Sequence, residues 1–368
     1  MGDTTGIAWT DKTWNPWKGC TKISPGCKNC YMYKEQTRYG SDPSVVTRTK
    51  TWRDPYRWNK EAEATGERKL VFTCSWSDVF HDAADEWRPE FWRVIRETPN
   101  LTYQILTKRQ ERIADNLPGD WGASGYSNVW FGVSVENQEY ADARIPLLLQ
   151  TPAAVRFVSV EPLLSGLELR PYLQKTTRRH MSVNVTGALR NKSFNIFEDE
   201  NGRAIPKARA KAELELLQYK GIRLIPIGTG CDGFDSETGC PGHTNPRIDW
   251  VIVGGESGPG ARPMYIRWAR DLRDQCKAAK VTFFMKQWGS LQPLCDYYEE
   301  DDEVREAALY GSHELWSPTR GRWFVGEQGT QQQHDGQPPP DTYVFRRGRK
   351  MDRMDDLPED LRIREFPK

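Results

Sequence analysis

Short apolar segments, each followed by polar residues, recur along the chain. Six of them are rich in β-branched and aromatic residues and cover positions 70–74, 103–106, 129–133, 155–160, 250–253 and 281–285. Near-continuous hydrophobicity over so few residues is typical of strands that are covered on both faces, as in a parallel sheet with crossover helices. With a further strand expected near 13–17, the chain contains at least seven strand-like units.

Amphipathic helices are predicted between several of these strands. The segments 86–97, 136–149 and 268–279 have the apolar spacing of a helix with one buried face. Alternation of such helices with at least seven strands favours an α/β fold, namely a partial or full β/α (TIM-like) barrel, over a doubly wound sheet.

The alternation also predicts how the chain is organised. Residues 1–167 form the N-terminal part of the barrel and include a cysteine-containing loop at 18–31, and residues 248–290 complete the barrel. Between them, 168–247 is polar and charged, which indicates an insertion that acts as a lid, a substrate-binding subdomain or a metal knuckle. Residues 291–368 are acidic, then Gln/Pro-rich, then basic, and are predicted to form a peripheral C-terminal appendage with flexible parts.

Polar residues gather where the predicted strands end. The carboxyl ends of parallel strands are where barrel enzymes build their sites, although every strand must also leave the core through polar residues. The candidates for cofactor contact at these ends are Ser75, Ser77, Lys108, Ser134, Glu136, Ser159, Glu161, Gly254, Gly255 and Glu256.

Composition narrows the classes of function. The 368 residues include 52 Lys and Arg against 51 Asp and Glu, so any nucleic-acid contact must be local. No apolar run approaches the roughly 18 residues that cross a bilayer, and the N-terminus does not resemble a secretion signal. We therefore expect a cytoplasmic protein with no membrane partner. In that reducing compartment, clustering among the eight cysteines indicates metal binding or catalysis.

Three thiols fall within eleven residues, directly after the first predicted strand. They belong to Cys20, Cys27 and Cys30, in a loop that Gly19 and Gly26 help to tighten. Four thiolates would close a structural zinc or iron–sulfur site. Three thiolates on a 4Fe-4S cube would leave one iron open to an external ligand such as S-adenosylmethionine (SAM). The alternative is a zinc site completed by Cys74 or His81.

The ordered motifs of the chain resemble those of the radical SAM superfamily. The likeness includes the spore photoproduct lyase and DNA repair photolyase-like branch, and it is closer to the phage-type three-Cys-motif family of phages and bacteria. It covers roughly residues 7–290 except part of the insertion. The matching segments are Trp9-Thr10, Asn15-Pro16-Trp17, the three-cysteine loop with Tyr31, Ser75-x-Ser77-Asp78, Leu106-Thr107-Lys108-Arg109, Gly132-Val133-Ser134-Val135-Glu136, Ser159-Val160-Glu161-Pro162-Leu163, Gly254-Gly255-Glu256-Ser257-Gly258 and Lys286-Gln287-Trp288-Gly289.

This resemblance implies a 4Fe-4S cluster on the three loop cysteines, with SAM as the second cofactor. By the same likeness Tyr31 lies beside the adenine, and residues 74–77 receive the amino group of SAM. Lys108, Ser134 and Glu136 contact its ribose or carboxylate. The triplet 254–256 resembles the amino-binding triplet of the superfamily but follows a late strand, where adenine or substrate are alternative ligands. The C-x6-C-x2-C spacing departs from the usual C-x3-C-x2-C and leaves the loop path open.

A second cysteine group lies in the predicted insertion. Cys231, Cys240 and His243 have a spacing compatible with a small metal knuckle, such as a zinc site, with no fourth ligand identified. Turn-rich loops also carry such residues without metal, so substrate contact and plain packing stay open as alternatives.

The leading functional hypothesis is a radical SAM enzyme that acts on a nucleic acid or nucleotide. Modification of a peptide or small metabolite by the same chemistry is one alternative, and a zinc-stabilised, non-catalytic nucleic-acid-binding protein is another. The expected partners are a reductant such as a flavodoxin or ferredoxin and, from the family likeness, a protein encoded nearby.

Overall fold

The computed structural model describes most of the predicted barrel in full and other segments by their backbone. Side chains are described for residues 5–174, 246–258, 260–291, 353–354 and 357–367. The backbone alone is described for 177–181, 194–197, 243–244, 292–293, 314–316, 323–325 and 343–351. The chain divides into one compact unit of Met1–Leu173 with Ile248–Lys368 and a second unit of Gln174–Arg247.

A seven-stranded parallel sheet forms the centre of the first unit. Its strands pair in chain order and the sheet curls into a half-barrel, which confirms the predicted mixed α/β architecture with a partial barrel. They are β1 (Lys12–Trp14), β2 (Lys69–Thr73), β3 (Leu101–Thr107), β4 (Val129–Ser134), β5 (Val155–Val160), β6 (Trp250–Gly254) and β7 (Thr282–Gln287). Each lies within about two residues of a segment predicted from apolar runs, because strands covered on both faces need continuous hydrophobicity.

Helices connect these strands. They are α1 (Tyr31–Arg38), α2 (Asp54–Thr65), α3 (Arg88–Glu97), α4 (Gln138–Gln150), α5 (Arg170–Leu173) and α6 (Ile266–Ala279). The start of α4 falls two residues later than predicted, since Asn137 caps it by accepting from the Tyr140 amide at 3.1 Å. The start of α3 is also later, because a 3-10 turn over Asp82–Trp87 precedes it.

Side chains alternate between the two faces of the sheet and fill two separate clusters. On the helix-covered face, Tyr103, Phe131 and Val158 join one large core. On the concave face, Phe72, Phe157 and Trp250 pack with Trp9, Ile252 and Phe284. The interior of the half-barrel is therefore apolar over most of its depth, and polar side chains are left to its carboxyl edge.

Residues 357–365 pack against the core, within the segment from 291 onward that the sequence predicts to be a peripheral appendage with flexible parts. Leu357 and Leu361 are buried in the large cluster. The Met285 amide donates to the Ile363 carbonyl at 2.8 Å, and the Glu365 amide donates to the Phe283 carbonyl at 3.2 Å. The segment thus covers the open edge of β7, which protects otherwise unpaired backbone groups.

Three antiparallel sheets account for the other described strands, and the smallest of them pairs Trp17–Lys18 with Thr47–Arg48. In the first unit, a four-stranded sheet begins with Gly289–Pro293, which pairs with Tyr343–Met351. The other side of Tyr343–Met351 pairs with Glu314–Trp316. Glu314–Trp316 pairs in turn with Trp323–Val325. In the second unit, Thr177–Met181 lies between Phe194–Phe197 and His243–Thr244. This unit begins at Gln174, later than the predicted boundary at 168, because Leu169 and Leu173 pack in the core of the first unit. None of the helices in the described part of the chain has the length and apolar character required to span a bilayer.

Candidate functional site

The three-cysteine loop is held against the carboxyl edge of the sheet from its first residue. The Gly19 amide donates to the Trp76 carbonyl at 2.9 Å, and the Ser77 hydroxyl donates to the Gly19 carbonyl at 2.5 Å. Gly19 has a φ of +94°, and a Cβ at this position would lie 2.1 Å from the Val45 carbonyl oxygen. Only glycine fits this approach, so the loop leaves β1 directly over the residues that follow β2.

Cys20 is fixed by groups from β3 and α1. Its amide donates to the Pro43 carbonyl at 2.9 Å, and the Tyr33 hydroxyl donates to its carbonyl. Arg109, just after β3, donates from Nη1 to Cys20 Sγ at 3.5 Å. Burial, together with the Asp78 carboxylate, raises the pKa of the Cys20 thiol to about 11, although the Arg109 guanidinium acts in the opposite direction.

Cys27 ends a 3-10 turn over Pro25–Cys27 that rests on the residue following β4. Ser24 donates to Glu136 Oε1 at 2.6 Å, and its hydroxyl lies 3.6 Å from Cys27 Sγ. Burial alone would raise the pKa of the Cys27 thiol. The Lys108 ammonium and the hydrogen bonds from Ile23 and Ser24 together outweigh that effect, so this pKa is lowered.

Cys30 directly precedes α1 and serves as its N-cap residue. The neighbouring Asn29 ties this end of the loop to the region after β6, because its Nδ2 donates to Glu256 Oε2 at 2.9 Å and to the Gly260 carbonyl at 2.8 Å.

The three thiols gather around the phenol of Tyr33. Burial raises the pKa of this phenol, and the thiolate charges of Cys20, Cys30 and Cys27 raise it further. All three cysteines are free thiols of intermediate exposure. Across the described residues, no three His, Cys, Asp or Glu side chains converge as ligands of one metal ion.

Of the two residues predicted as completing ligands of a zinc site, His81 makes other contacts. His81 pairs through Nε2 with the Thr21 hydroxyl at 3.2 Å, and its Nδ1 accepts from the Ala83 amide at 3.2 Å. Burial lowers the pKa of His81, and the Arg109 charge lowers it further. Cys74 is buried directly after β2, where burial raises the pKa of its thiol strongly.

The predicted adenine neighbour, Tyr31, lies at the start of α1 and joins it to the residues after β2. The residue is 49 % exposed, yet its hydroxyl points inward and donates to the Ser75 carbonyl at 2.6 Å. Burial of this hydroxyl raises the pKa of the phenol. The Ser75 hydroxyl pairs with Asn15, whose Nδ2 lies 3.0 Å away. This hydrogen bond brings Tyr31 and Ser75 together, and Tyr31 stays half exposed.

Two carboxylates that are predicted to contact the cofactor anchor the loop. Glu136 is fully buried and accepts from Arg144 Nη1 at 3.0 Å as well as from Ser24. Glu256 is 7 % exposed and accepts from two guanidinium nitrogens of Arg262, at 2.6 and 2.9 Å. Each carboxylate is therefore committed to a loop contact and a buried or half-buried arginine.

The concave face of the sheet carries the other predicted residues at its carboxyl edge. Ser134 and Ser159 are buried, and they lie on the same face of the sheet as Trp130 and Phe157 because side chains alternate between the two faces of a strand. The Glu161 carboxylate accepts hydrogen bonds from Lys286 Nζ at 2.7 Å and from Gln287 Nε2 at 2.9 Å.

Two glycines keep the chain after β6 close to its neighbours. A Cβ at Gly254 would lie 3.1 Å from the Glu161 carboxyl group. A Cβ at Gly255 would lie 1.9 Å from the Trp288 carbonyl oxygen, so this backbone approach requires glycine.

A cleft of about 470 Å³ opens beside the cysteine loop. Thr21 and Ile23 of the loop line it together with Lys108, Arg109, Tyr140 and Arg144. Lys108 extends toward the buried Glu136, with Nζ 3.9 Å from Oε1. The cleft gives a small molecule a route to the loop from the side of β3 and β4.

Several residues of this site were not predicted from the sequence, namely Ser24, Asn29, Arg109, Arg144, Arg262 and Lys286. Ser24 and Asn29 stood in the matched cysteine loop, and Arg109 and Lys286 in other matched segments, so a signal was available for these four. The second predicted cysteine group is not brought to this site by any described contact: Cys231 and Cys240 lie outside the described residues, and only the backbone of His243 is described.

Comparison with known proteins gives one family. No curated protein and no solved structure matches the chain. A family described as proteins of unknown function, DUF5131, matches residues 4–337, which include the cysteine loop and all seven strands of the half-barrel. The chain therefore belongs to the DUF5131 family.

Proposed function

We propose that this chain is a radical SAM enzyme. Cys20, Cys27 and Cys30 would hold a 4Fe-4S cluster, and SAM would bind at the carboxyl edge of the half-barrel. The observation that carries the proposal is the position of three free, neighbouring thiols on one loop at that edge. Three protein ligands on a cube leave one iron for an exogenous ligand, whereas a structural site would use four.

Basic residues beside the thiols suit a negatively charged cluster. Lys108 and Arg109, whose charges act on the thiols of Cys27 and Cys20, would offset part of the negative charge of a thiolate-bound cluster.

When bound, the cluster would supply one electron to the sulfonium of SAM, releasing methionine and a 5′-deoxyadenosyl radical that takes a hydrogen atom from the substrate. The residues of the chain itself would orient SAM and enclose it. Tyr31 offers a ring face beside the loop, with its hydroxyl fixed on the Ser75 carbonyl. The Lys286–Glu161 ion pair has one positive and one negative charge on the concave face, and both side chains are partly exposed.

A nucleic acid or nucleotide is the proposed substrate. The support is the likeness to the photolyase-like branch together with local basic residues at the loop. Lys22 and Lys28 are exposed on either side of Cys27, and Lys22 Nζ donates to the Lys28 carbonyl at 3.1 Å. Cationic side chains next to the thiols suit a phosphate backbone, although the formal charge of the whole chain is only +1.

The chemistry is tested by anaerobic reconstitution with iron and sulfide, followed by incubation with SAM and dithionite and assay for 5′-deoxyadenosine. We expect formation by the wild type and loss in Cys30→Ala. The matched control is Cys276→Ala, which removes a buried thiol of α6 outside the loop. A wild-type protein that takes up one zinc ion and no iron, or that forms no 5′-deoxyadenosine with a full cluster, would refute the proposal.

The substrate class is tested separately, by filter binding of labelled DNA and RNA over a range of salt concentrations. Binding whose logarithmic affinity falls linearly with the logarithm of salt concentration indicates phosphate contacts. Weaker binding and a shallower slope in a Lys22→Gln/Lys28→Gln variant would place those contacts at the loop. An intact cluster with no binding to either polymer would instead favour a peptide or small metabolite.

A further inference from the structure

A buried carboxylate, a guanidinium and a loop thiol form a chain of contacts behind Cys20. Asp78 Oδ2 lies 3.3 Å from Arg109 Nη1, and the same nitrogen donates to Cys20 Sγ at 3.5 Å. The Asp78 and Arg109 side chains are only 6 % and 8 % exposed. This pair is therefore little screened by solvent, and the guanidinium charge acts on the sulfur at close range.

Asp78 is itself fixed on three sides, which limits where Arg109 can go. Its Oδ1 accepts from the Thr107 hydroxyl at 2.7 Å and from the Phe80 amide at 2.9 Å, while Oδ2 accepts from the Lys108 amide at 2.9 Å. The second guanidinium nitrogen, Nη2, donates to the Thr21 hydroxyl at 2.7 Å. The direction of the N–H group toward Cys20 is thus set by groups from both β2 and β3.

We propose that Arg109 is a positioning residue that raises the reduction potential of the cluster bound through Cys20, and that Asp78 orients it. The inference rests on the proposed function. A hydrogen bond and a positive charge at a ligating sulfur stabilise the form of the cluster that carries the extra electron. Arg109 donates to the sulfur of Cys20, which is one of the three loop cysteines. The charge of Lys108 acts on Cys27, and Cys30 lies at the start of α1.

A purely structural role for Arg109 is the competing explanation, because its contact with Thr21 also holds the loop. The two roles separate in matched variants. Thr21→Val removes the Thr21 hydroxyl that Arg109 Nη2 binds at 2.7 Å, and it leaves the Nη2 contact with the Thr21 carbonyl at 3.2 Å and the sulfur contact. Arg112→Met removes a neighbouring arginine that pairs with Asp85 at 2.8 Å and has no described contact with the thiols.

The test is an anaerobic redox titration of each reconstituted protein, followed by the electron paramagnetic resonance signal of the reduced cluster, with iron per chain measured on the same samples. In Arg109→Met we expect full iron content and a midpoint lower by about 59 mV, a tenfold change in the one-electron equilibrium. Arg109→Lys should lie between this variant and the wild type. Thr21→Val and Arg112→Met should match the wild type.

An unchanged midpoint in Arg109→Met at full iron content would overturn the inference and leave the proposed function standing. If Arg109→Met does not retain iron, Arg109→Gln takes its place: a lower midpoint supports the role and a wild-type midpoint overturns it. Equal shifts in Thr21→Val and Arg109→Met would show that loop position, and not the sulfur contact, sets the potential. A wild-type chain that binds no cluster defeats the proposed function first, and the inference with it.

Discussion

The Ser24 hydroxyl donates to Glu136 at 2.6 Å, and the two residues stand 112 positions apart in the chain. This bond attaches the middle of the cysteine loop to the residue that follows β4. Because Glu136 is also held by Arg144, which is 2 % exposed, the loop is anchored to a buried ion pair and not to a mobile side chain. The position of Cys27 therefore depends on the packing of β4 and α4.

The Glu136–Arg144 pair should be essential for stability. In Glu136→Leu the Arg144 guanidinium loses its buried counter-ion, and we expect the free energy of unfolding to fall by about 3–5 kcal/mol. Urea unfolding followed by tryptophan fluorescence measures it. The double variant Glu136→Leu/Arg144→Leu should lose less than the sum of the single variants.

The matched control for that prediction is Glu61→Ala on α2, which removes a pair with Arg57 whose side chains are both 49 % exposed. It should change stability by less than about 1 kcal/mol. A Glu136→Leu protein as stable as this control would contradict the importance assigned to the buried pair.

Gly26 is required for the loop to dock. A Cβ at this position would lie 2.4 Å from Glu136 Oε1, so Gly26→Ala must push the loop away from the sheet. We expect cluster content after reconstitution to fall severalfold while the far-ultraviolet circular dichroism spectrum stays unchanged. Gly119→Ala, which meets no atom within 4 Å, is the control and should bind iron as the wild type does. Equal iron content in both variants would show that the loop tolerates the displacement.

In the cluster-free protein, Cys27 should react with iodoacetamide faster than Cys20. The pKa of Cys27 is lowered, while that of Cys20 is raised to about 11, and the thiolate is the reacting species. At about pH 8, peptide mass mapping over time should find Cys27 modified first. Lys108→Met should slow the labelling of Cys27 more than that of Cys20, because the Lys108 ammonium is the largest influence that lowers the pKa of Cys27. Arg112→Met serves as the control; faster labelling of Cys20 would contradict the prediction.

Glu256 should make stability depend on acid pH. Burial raises the pKa of Glu256, but hydrogen bonds from Arg262 and Asn29 outweigh it and the pKa is lowered. A lowered folded-state pKa contributes stability that is present above the unfolded value of about 4.3 and is lost as pH falls through the folded value. The stability difference between wild type and Glu256→Gln should therefore shrink below about pH 4.3.

Thermal unfolding over a series of pH values measures this difference. Glu63→Gln, at an exposed position of α2, is the control and should follow the wild type at every pH. A difference between wild type and Glu256→Gln that is constant with pH would show that the Glu256 charge does not contribute in this way.

The sequence by itself determined the strands, their parallel arrangement and the edge at which polar side chains collect. Apolar runs such as 129–133 and 155–160 are local signals, and each became a strand of the half-barrel. The same reasoning located the three cysteines directly after the first strand and Ser75 at the end of the second. Tyr31 was predicted from the family resemblance, and its hydroxyl donates to the Ser75 carbonyl.

Tertiary structure decided which of those polar side chains remain available. Nothing in the periodicity around Glu136 indicates that Arg144 and Ser24 occupy its carboxylate, or that Arg262 and Asn29 occupy Glu256. It also decided that the end of the chain packs on β7. The physical reason is that periodicity shows which face of an element is buried but not which side chains pair across it. Two of these partners, Ser24 and Asn29, are also 112 and 227 positions away from their carboxylates.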